Sequence, residues 1–238
     1  MQDYSLSNLV QLLLRPEHGS KRRYISKTSI LVAAQLIEMI EYKCISIERV
    51  PDKNPPRWLP LREQTMFDQG IISVNESISP KLTHKEAYEF IRTQKKPHLI
   101  GWYLLRLPAQ GTNQRALDDG LMHSHRRGLF YQTTLTEKGT SIVHEAKSDI
   151  DAYLENDAAD ISKLSNQSRL IVALLVKSYI WDKVYRELYK GKTKSQKIAL
   201  QQKIELAVSE ARITNDTSDS LELILNALSL TNAESSTP

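Results

Sequence analysis

Cysteine is almost missing from this chain. The single one, Cys44, excludes a disulfide framework and a multi-cysteine zinc site, and fits a reducing compartment. Glycine and proline are scarce too, at 8 and 9 of 238 residues. With no long Ser, Gln or Gly tract either, collagen-like structure and extensive disorder are excluded. No run of about 18 apolar residues occurs, so no bilayer-spanning helix is predicted. The opening stretch MQDYSLSNLVQLLLRPEHG starts acidic and holds only a short amphipathic run. It lacks the basic start and small-residue cleavage site of a signal peptide. The sequons at Asn75, Asn166 and Asn215 therefore read as chance matches. There is no Gly-rich phosphate loop, nucleophile elbow, dinucleotide fingerprint or His-Glu-x-x-His zinc helix.

Hydrophobic residues make up 40% and charged residues 25%. That is ordinary globular composition, and the length allows one large domain or two small ones. The net charge of +4 permits an acidic partner without demanding one. The cations cluster at Lys21–Arg23, Lys95–Lys96, Arg126–Arg127 and Lys190–Lys197. Such runs are ordinarily solvated faces.

Apolar spacing predicts a helix from Leu6 to Leu14 behind Ser5 as N-cap, and a second from Ser26 or Thr28 through Ile40. The second is apolar on most faces, so it must be buried. Cys44–Val50 alternates and is β-branched, so it reads as a strand, with a short second strand at Ile71–Val74. Thr83 and Glu86 form a capping box ahead of Ala87, Phe90 and Ile91. Pro97 and Pro108 bracket a helix over Leu99–Leu107. Further helices are expected at Asn113–Arg127 with Gly128 as C-cap, Ser148–Leu154, Gln167–Tyr189, Ser195–Arg212 and Ser220–Leu228. A hairpin is expected between them, over Leu129–Thr134 and Thr140–Val143, turning at Glu137-Lys138-Gly139. The expectation is thus a mainly α fold, a single compact helical domain over 1–230 with one or two small β-hairpins. Its most apolar helices lie around Leu31–Ile40, Leu99–Leu107 and Leu170–Val184, and residues 231–238 form a frayed tail.

Candidate chemistry is thin. On a helix His123 and His125 would diverge by roughly 200° and could not share a metal. Glu38 and Glu41 are either a carboxylate pair or the polar edge of a buried helix, and Cys44 reads as a small buried hydrophobe. No cofactor, metal or catalytic residue is expected, and the chain reads as non-enzymatic.

Several segments resemble one family. Leu36-Ile37-Glu38-Met39 through Ile47-Glu48 is similar to the "LIEL-x-x-x-G-x-I-x-L" signature of the Golgi phosphoprotein 3 family. Ser5 to Leu14 resembles that family's opening "L-x-E-E-L-L-L-L-A-L" helix. Trp102–Leu105 resembles its "W-x-x-x-L" helix, Leu117–Leu129 its "G-L-L" element, and Arg169–Tyr185 its "R-x-x-x-L-x-x-L" helix. The order holds over roughly residues 5 to 228. The resemblance implies a compact helical domain with a projecting hairpin that binds phosphatidylinositol-4-phosphate on Golgi membranes. It also implies an adaptor that retains glycosyltransferases through their cytosolic tails. The family's headgroup pocket uses an aromatic residue and an arginine around the first long helix, and two later arginines. Here Val32 stands at the first arginine position, Arg23 at the aromatic position with Tyr24 beside it, and Arg115 lies near a later arginine.

The expected headgroup site is therefore Lys21, Arg22, Arg23, Tyr24, Arg115 and Arg126, converging on one face. The expected membrane-inserting hairpin residues are Phe130, Tyr131 and Leu135, because amphipathic rings sit well at a bilayer interface. The expected partners are an anionic membrane surface and the cytosolic tails of membrane proteins, with a cytoplasmic, peripherally membrane-associated location (at the Golgi in a eukaryote). Two other classes stay open. A helix followed by a hairpin also resembles a winged-helix DNA-binding domain, although Asp118 and Asp119 would oppose the phosphates. A structural interaction scaffold is the third class.

Overall fold

The computed structural model describes residues 4–15, 28–50, 69–81, 84–127, 130–156, 160–214 and 219–234. Among them are ten α-helices and two two-stranded antiparallel sheets, a mainly α fold. Contacts divide the chain into two compact units, Met1–Lys27 with Gln110–Arg212, and Thr28–Ala109 with Ile213–Pro238.

The first unit holds α1 (Leu6–Leu13), α5 (Gln110–Asp118), β3 (Met122–Arg127), β4 (Phe130–Leu135), α6 (Glu137–Glu155), α7 (Asn166–Lys177), α8 (Trp181–Val184) and α9 (Lys194–Ser209). Ser5 caps α1 as its side chain accepts from the Asn8 N–H, and all eight residues of the helix are buried. It packs on α5, α6 and α7. Asp149 of α6 clamps the start of α7, accepting from Ser165 Oγ at 2.9 Å and Ser168 Oγ at 2.6 Å. Leu170 to Leu175 behind that clamp are buried without a break, so truncating one of its leucines or Ile171 to Ala costs about 2–5 kcal/mol.

The second unit holds α2 (Thr28–Glu41), β1 (Ile45–Val50), β2 (Gln69–Val74), α3 (Lys85–Arg92), α4 (Ile100–Arg106) and α10 (Ser220–Glu234). Every residue from Ser29 to Ile40 is buried, as the nearly all-round apolar pattern requires. β1 pairs β2 with Ile45 opposite Val74 and Val50 opposite Gln69. Helix α10 packs on α2, α4 and both strands. Cys44 is buried, and that burial pushes its thiol pKa up. Glu41 accepts from the Thr214 N–H at 3.3 Å. The Thr83 half of the expected capping box lies outside the described residues, and α3 begins behind His84.

Three expectations are corrected. Residues 167–189 are not one helix. Tyr179 adopts φ +57°, and the bonds Tyr179 N to Val176 O (3.0 Å) and Ile180 N to Leu175 O (3.1 Å) close α7. A glycine normally announces that left-handed cap, and here a tyrosine fills it. The tail does not fray at Thr231. Helix α10 runs to Glu234, and buried Asn232 accepts from Ser29 Oγ at 3.3 Å while donating to the Leu228 carbonyl at 2.8 Å. The third correction concerns residues 119–143, taken up with the site they form.

Helix α2 ends in the same way as α7. Lys43 has φ +57°, with Lys43 N bonded to Ile40 O and Cys44 N to Met39 O. A left-handed non-glycine residue costs roughly 1–2 kcal/mol, while glycine gives back roughly 0.5–1 kcal/mol through the unfolded chain. Lys43→Gly is therefore expected to raise stability by about 0.5 kcal/mol, read as a higher urea midpoint. A lower midpoint would mean that the lysine side chain contributes more than the backbone strain costs.

Candidate membrane-facing site

The candidate site is the β3–β4 hairpin of the first unit, which begins at Met122, inside the helix expected over Asn113–Arg127 and ahead of the expected start at Leu129. Helix α5 stops at Asp118 because Gly120, at φ +67°, forms a Schellman cap. Gly120 N bonds Leu117 O at 3.0 Å, and Leu121 N bonds Ala116 O at 2.9 Å. Residues 122–127 are thus a strand and not the end of a helix, and Gly128 is not its cap. Residues 128–129 lie outside the described residues.

The second half of the expected hairpin is also corrected. Glu137-Lys138-Gly139 opens helix α6 behind Thr136, whose hydroxyl accepts from Gly139 N at 3.1 Å and donates to the Gly120 carbonyl at 2.8 Å. Thr136 N bonds Leu121 O at 3.1 Å, and Lys138 Nζ donates to Asp119 O at 3.2 Å. One threonine thereby ties the cap of α5, the base of the hairpin and the start of α6. A Cβ at Gly139 would sit 2.1 Å from the Leu121 carbonyl oxygen, so this position needs glycine for a close approach.

The register pairs Met122 with Leu135, His123 with Thr134, His125 with Gln132, Arg126 with Tyr131 and Arg127 with Phe130. Met122, Thr134 and Leu135 are buried at the base. Leu135 therefore belongs to the core at 1% exposure, and its expected role as a membrane-inserting residue is corrected. Phe130 and Tyr131 begin β4. Arg126 is exposed near the same end, about 13 Å along the strand from Met122.

Arg115 lies elsewhere. On α5, its Nε is 3.6 Å from Asp119 Oδ2, an i,i+4 pair with both side chains nearly half exposed. Such pairs contribute about 0.3–0.5 kcal/mol. Arg115 stands with the base of the hairpin and Arg126 with its far end, so the two belong to different ends of the element. Lys21, Arg22, Arg23 and Tyr24 lie outside the described residues.

The histidines are corrected as well. On a strand, i and i+2 share a face, and the His123 and His125 ring centroids are 5.6 Å apart. Thr134 Oγ1 lies 3.1 Å from His123 Nε2. Among the described residues, no group of three or more His, Cys, Asp or Glu could hold a metal ion. Nor is any helix among them long and apolar enough to cross a membrane. Val32, which the resemblance would set at a pocket arginine, is fully buried in α2 and carries no charge.

Gly120 and Gly139 were the readable signals missed. Asp118-Asp119-Gly120 is a helix stop, and Thr136 with Glu137 a helix start. Comparison with models of known protein families and with curated protein sequences finds no match for the chain.

Proposed function

We propose that this protein is a non-enzymatic peripheral adaptor of the Golgi phosphoprotein 3 type, docking on anionic, phosphoinositide-containing membranes. The observation that carries the reading is the register of the β3–β4 hairpin, which pairs Arg126 with Tyr131 and Arg127 with Phe130 at the end away from its buried base. A cation position paired in register with an aromatic position, at the end of the hairpin away from its buried base, suits a bilayer interface. The ring settles at headgroup level, and the arginine meets lipid phosphate. The buried base gives the hairpin a fixed root. A second observation supports the family. The glycine of the "LIEL-x-x-x-G" signature falls on Lys43, whose φ of +57° lies in the region that favours glycine.

With Val32 in place of the pocket arginine, binding depends on surface charge more than on one headgroup. Affinity should fall with salt, as exposed charges are screened beyond roughly 8 Å at physiological ionic strength. Co-sedimentation with phosphoinositide-containing vesicles at low and physiological salt tests this. Arg22→Ala with Arg23→Ala should weaken binding by about 2 kcal/mol, roughly thirtyfold, at about 1 kcal/mol per surface cation. Equal pelleting of both forms would remove those arginines from the site. Absence of wild-type pelleting with every anionic lipid would overturn the reading. Salt-sensitive binding to duplex DNA in its place would favour the winged-helix alternative, for which the order α5–β3–β4 is the specific support.

A further inference from the structure

The chain's positive charge is concentrated at one end of the α7/α9 helix pair. Residues 177–197 hold seven cations and two carboxylates, a net +5, whereas the whole chain carries +4. Everything outside this stretch therefore sums to −1.

The fold gathers these cations. Asn166 Nδ2 donates to the Arg212 carbonyl at 2.8 Å, and Arg169 Nη1 to the Glu210 carbonyl at 3.5 Å. The start of α7 thus meets the region just past the end of α9, and the two packed helices run antiparallel. The end of α7, helix α8, the 3-10 turn Arg186–Tyr189 and the start of α9 consequently share the opposite end. Lys177 lies on the last turn of α7. Lys183 and Arg186 follow on α8 and the 3-10 turn, and Lys190, Lys192, Lys194 and Lys197 lead into α9. Lys177 and Lys192 are half-buried and the other five exposed. The capping box at Thr193 and Gln196 fixes where α9 begins. Lys203 Nζ donates to the carbonyls of Leu154 and Asn156 at 3.2 and 2.7 Å, holding α9 to the end of α6.

The acids do not cancel the patch. Lys190 pairs with Glu187 at 2.5 Å between side chains about two-thirds exposed, a geometry of small energetic weight. Asp182 is exposed and already counted in the +5. Glu155, at the end of α6, lines the same groove as Lys192 and would lower the local excess by one.

We propose that this patch is a second membrane-docking surface, one that engages an anionic bilayer separately from the hairpin. The inference rests on the peripheral-membrane reading. Two apolar side chains in the patch favour a bilayer over a nucleic acid. Tyr179 is 56% exposed beside Lys177, and Ile198 is 52% exposed beside Lys197. Against a phosphate backbone they would gain nothing, whereas a bilayer interface accepts both. Each cation near an anionic surface contributes on the order of 1 kcal/mol, so several acting together exceed what the hairpin arginines supply.

The test is co-sedimentation of the full chain with phosphatidylcholine vesicles with and without phosphatidylserine. A variant carrying Lys183→Ala, Arg186→Ala, Lys192→Ala and Lys194→Ala is compared with Arg22→Ala/Arg23→Ala. The four sites are exposed or half-exposed, so the urea midpoint should hold, and it is measured alongside. The expected result is a loss of anionic-vesicle partitioning of nearly three orders of magnitude in the patch variant, at about fivefold for each of four cations. The patch variant should also show a shallower salt dependence. Patch-variant pelleting equal to wild type would overturn this inference and leave the membrane reading standing. Failure of wild type itself to pellet would overturn both. Patch-dependent binding to a short DNA duplex without vesicle binding would overturn the bilayer as the partner.

Discussion

His84→Leu is expected to destabilise the protein by about 3–5 kcal/mol. His84 Nε2 lies 3.5 Å from Glu38 Oε2, with side chains 1% and 3% exposed. Glu38 sits in the middle of α2, surrounded by apolar neighbours, and His84 stands at the entrance to α3. Tyr42 stacks on the imidazole at 6.2 Å, and the Lys81 ammonium lies 3.8 Å above the Tyr42 ring while donating to its hydroxyl. A line of polar groups thus joins the end of α2 to the segment before α3. Taking away the imidazole leaves the Glu38 carboxyl in a site closed to water with one fewer polar neighbour, and that loss dominates. Glu38→Met combined with His84→Leu should recover most of the stability, because apolar replacement of a whole buried pair is often neutral. Urea denaturation of both single variants and the double gives the coupling energy. A His84→Leu cost below about 1 kcal/mol would mean that the pair behaves as an exposed one.

That pair marks where sequence reading stops. Glu38 was visible as a polar residue on a buried helix, but nothing in a linear pattern points across 46 positions to His84. Local signals were far more legible. Ser5 as a cap, the all-round apolar stripe of α2 and the proline-bracketed helix α4 follow from side-chain chemistry within one or two turns, and each formed as expected. The misplaced end of α7 has a local cause. Lys43 and Tyr179 take a backbone conformation that their residue types do not advertise, and the end of α7 was misplaced in consequence. At the hairpin the signal was present but outweighed. The Asp118-Asp119-Gly120 stop competes with Leu117, Leu121 and Met122, which also fit a helical face, and only the pairing with β4 decides for a strand. Reading that segment as a helix sent His123 and His125 to opposite sides and moved Leu135 from the core to a hairpin tip. Phe130 and Tyr131 fall on a hairpin strand as expected, whereas Arg126 moves from the end of an expected helix to β3. The basic surface at 177–197 was only partly legible, since Lys177, Lys183 and Arg186 join Lys190–Lys197 through the antiparallel packing of α7 and α9.

Gly139→Ala should lower stability by about 2 kcal/mol. Its Cβ would fall 2.1 Å from the Leu121 carbonyl oxygen and 3.4 Å from Leu135 Cδ2. The carbonyl is backbone and already accepts from Thr136 N, so it cannot swing aside as a side chain could. Helix α6 must retreat, loosening the Thr136 cap that joins it to the hairpin base. Overpacking of this kind costs roughly 1–3 kcal/mol and a lost cap about 1 kcal/mol. The higher helix propensity of alanine, about 1 kcal/mol at most, offsets part of it. Gly101→Ala is the matched control. Gly101 lies inside α4, and a Cβ there meets nothing within 4 Å. Only the propensity acts, and stability should rise by about 0.5–1 kcal/mol. Urea midpoints of the two variants should therefore move in opposite directions. On the membrane reading, Gly139→Ala should also weaken vesicle binding while Gly101→Ala leaves it unchanged, because only the first disturbs the root from which Arg126 and Tyr131 project. Midpoints that move together would mean that α6 does not rest on the Leu121 carbonyl.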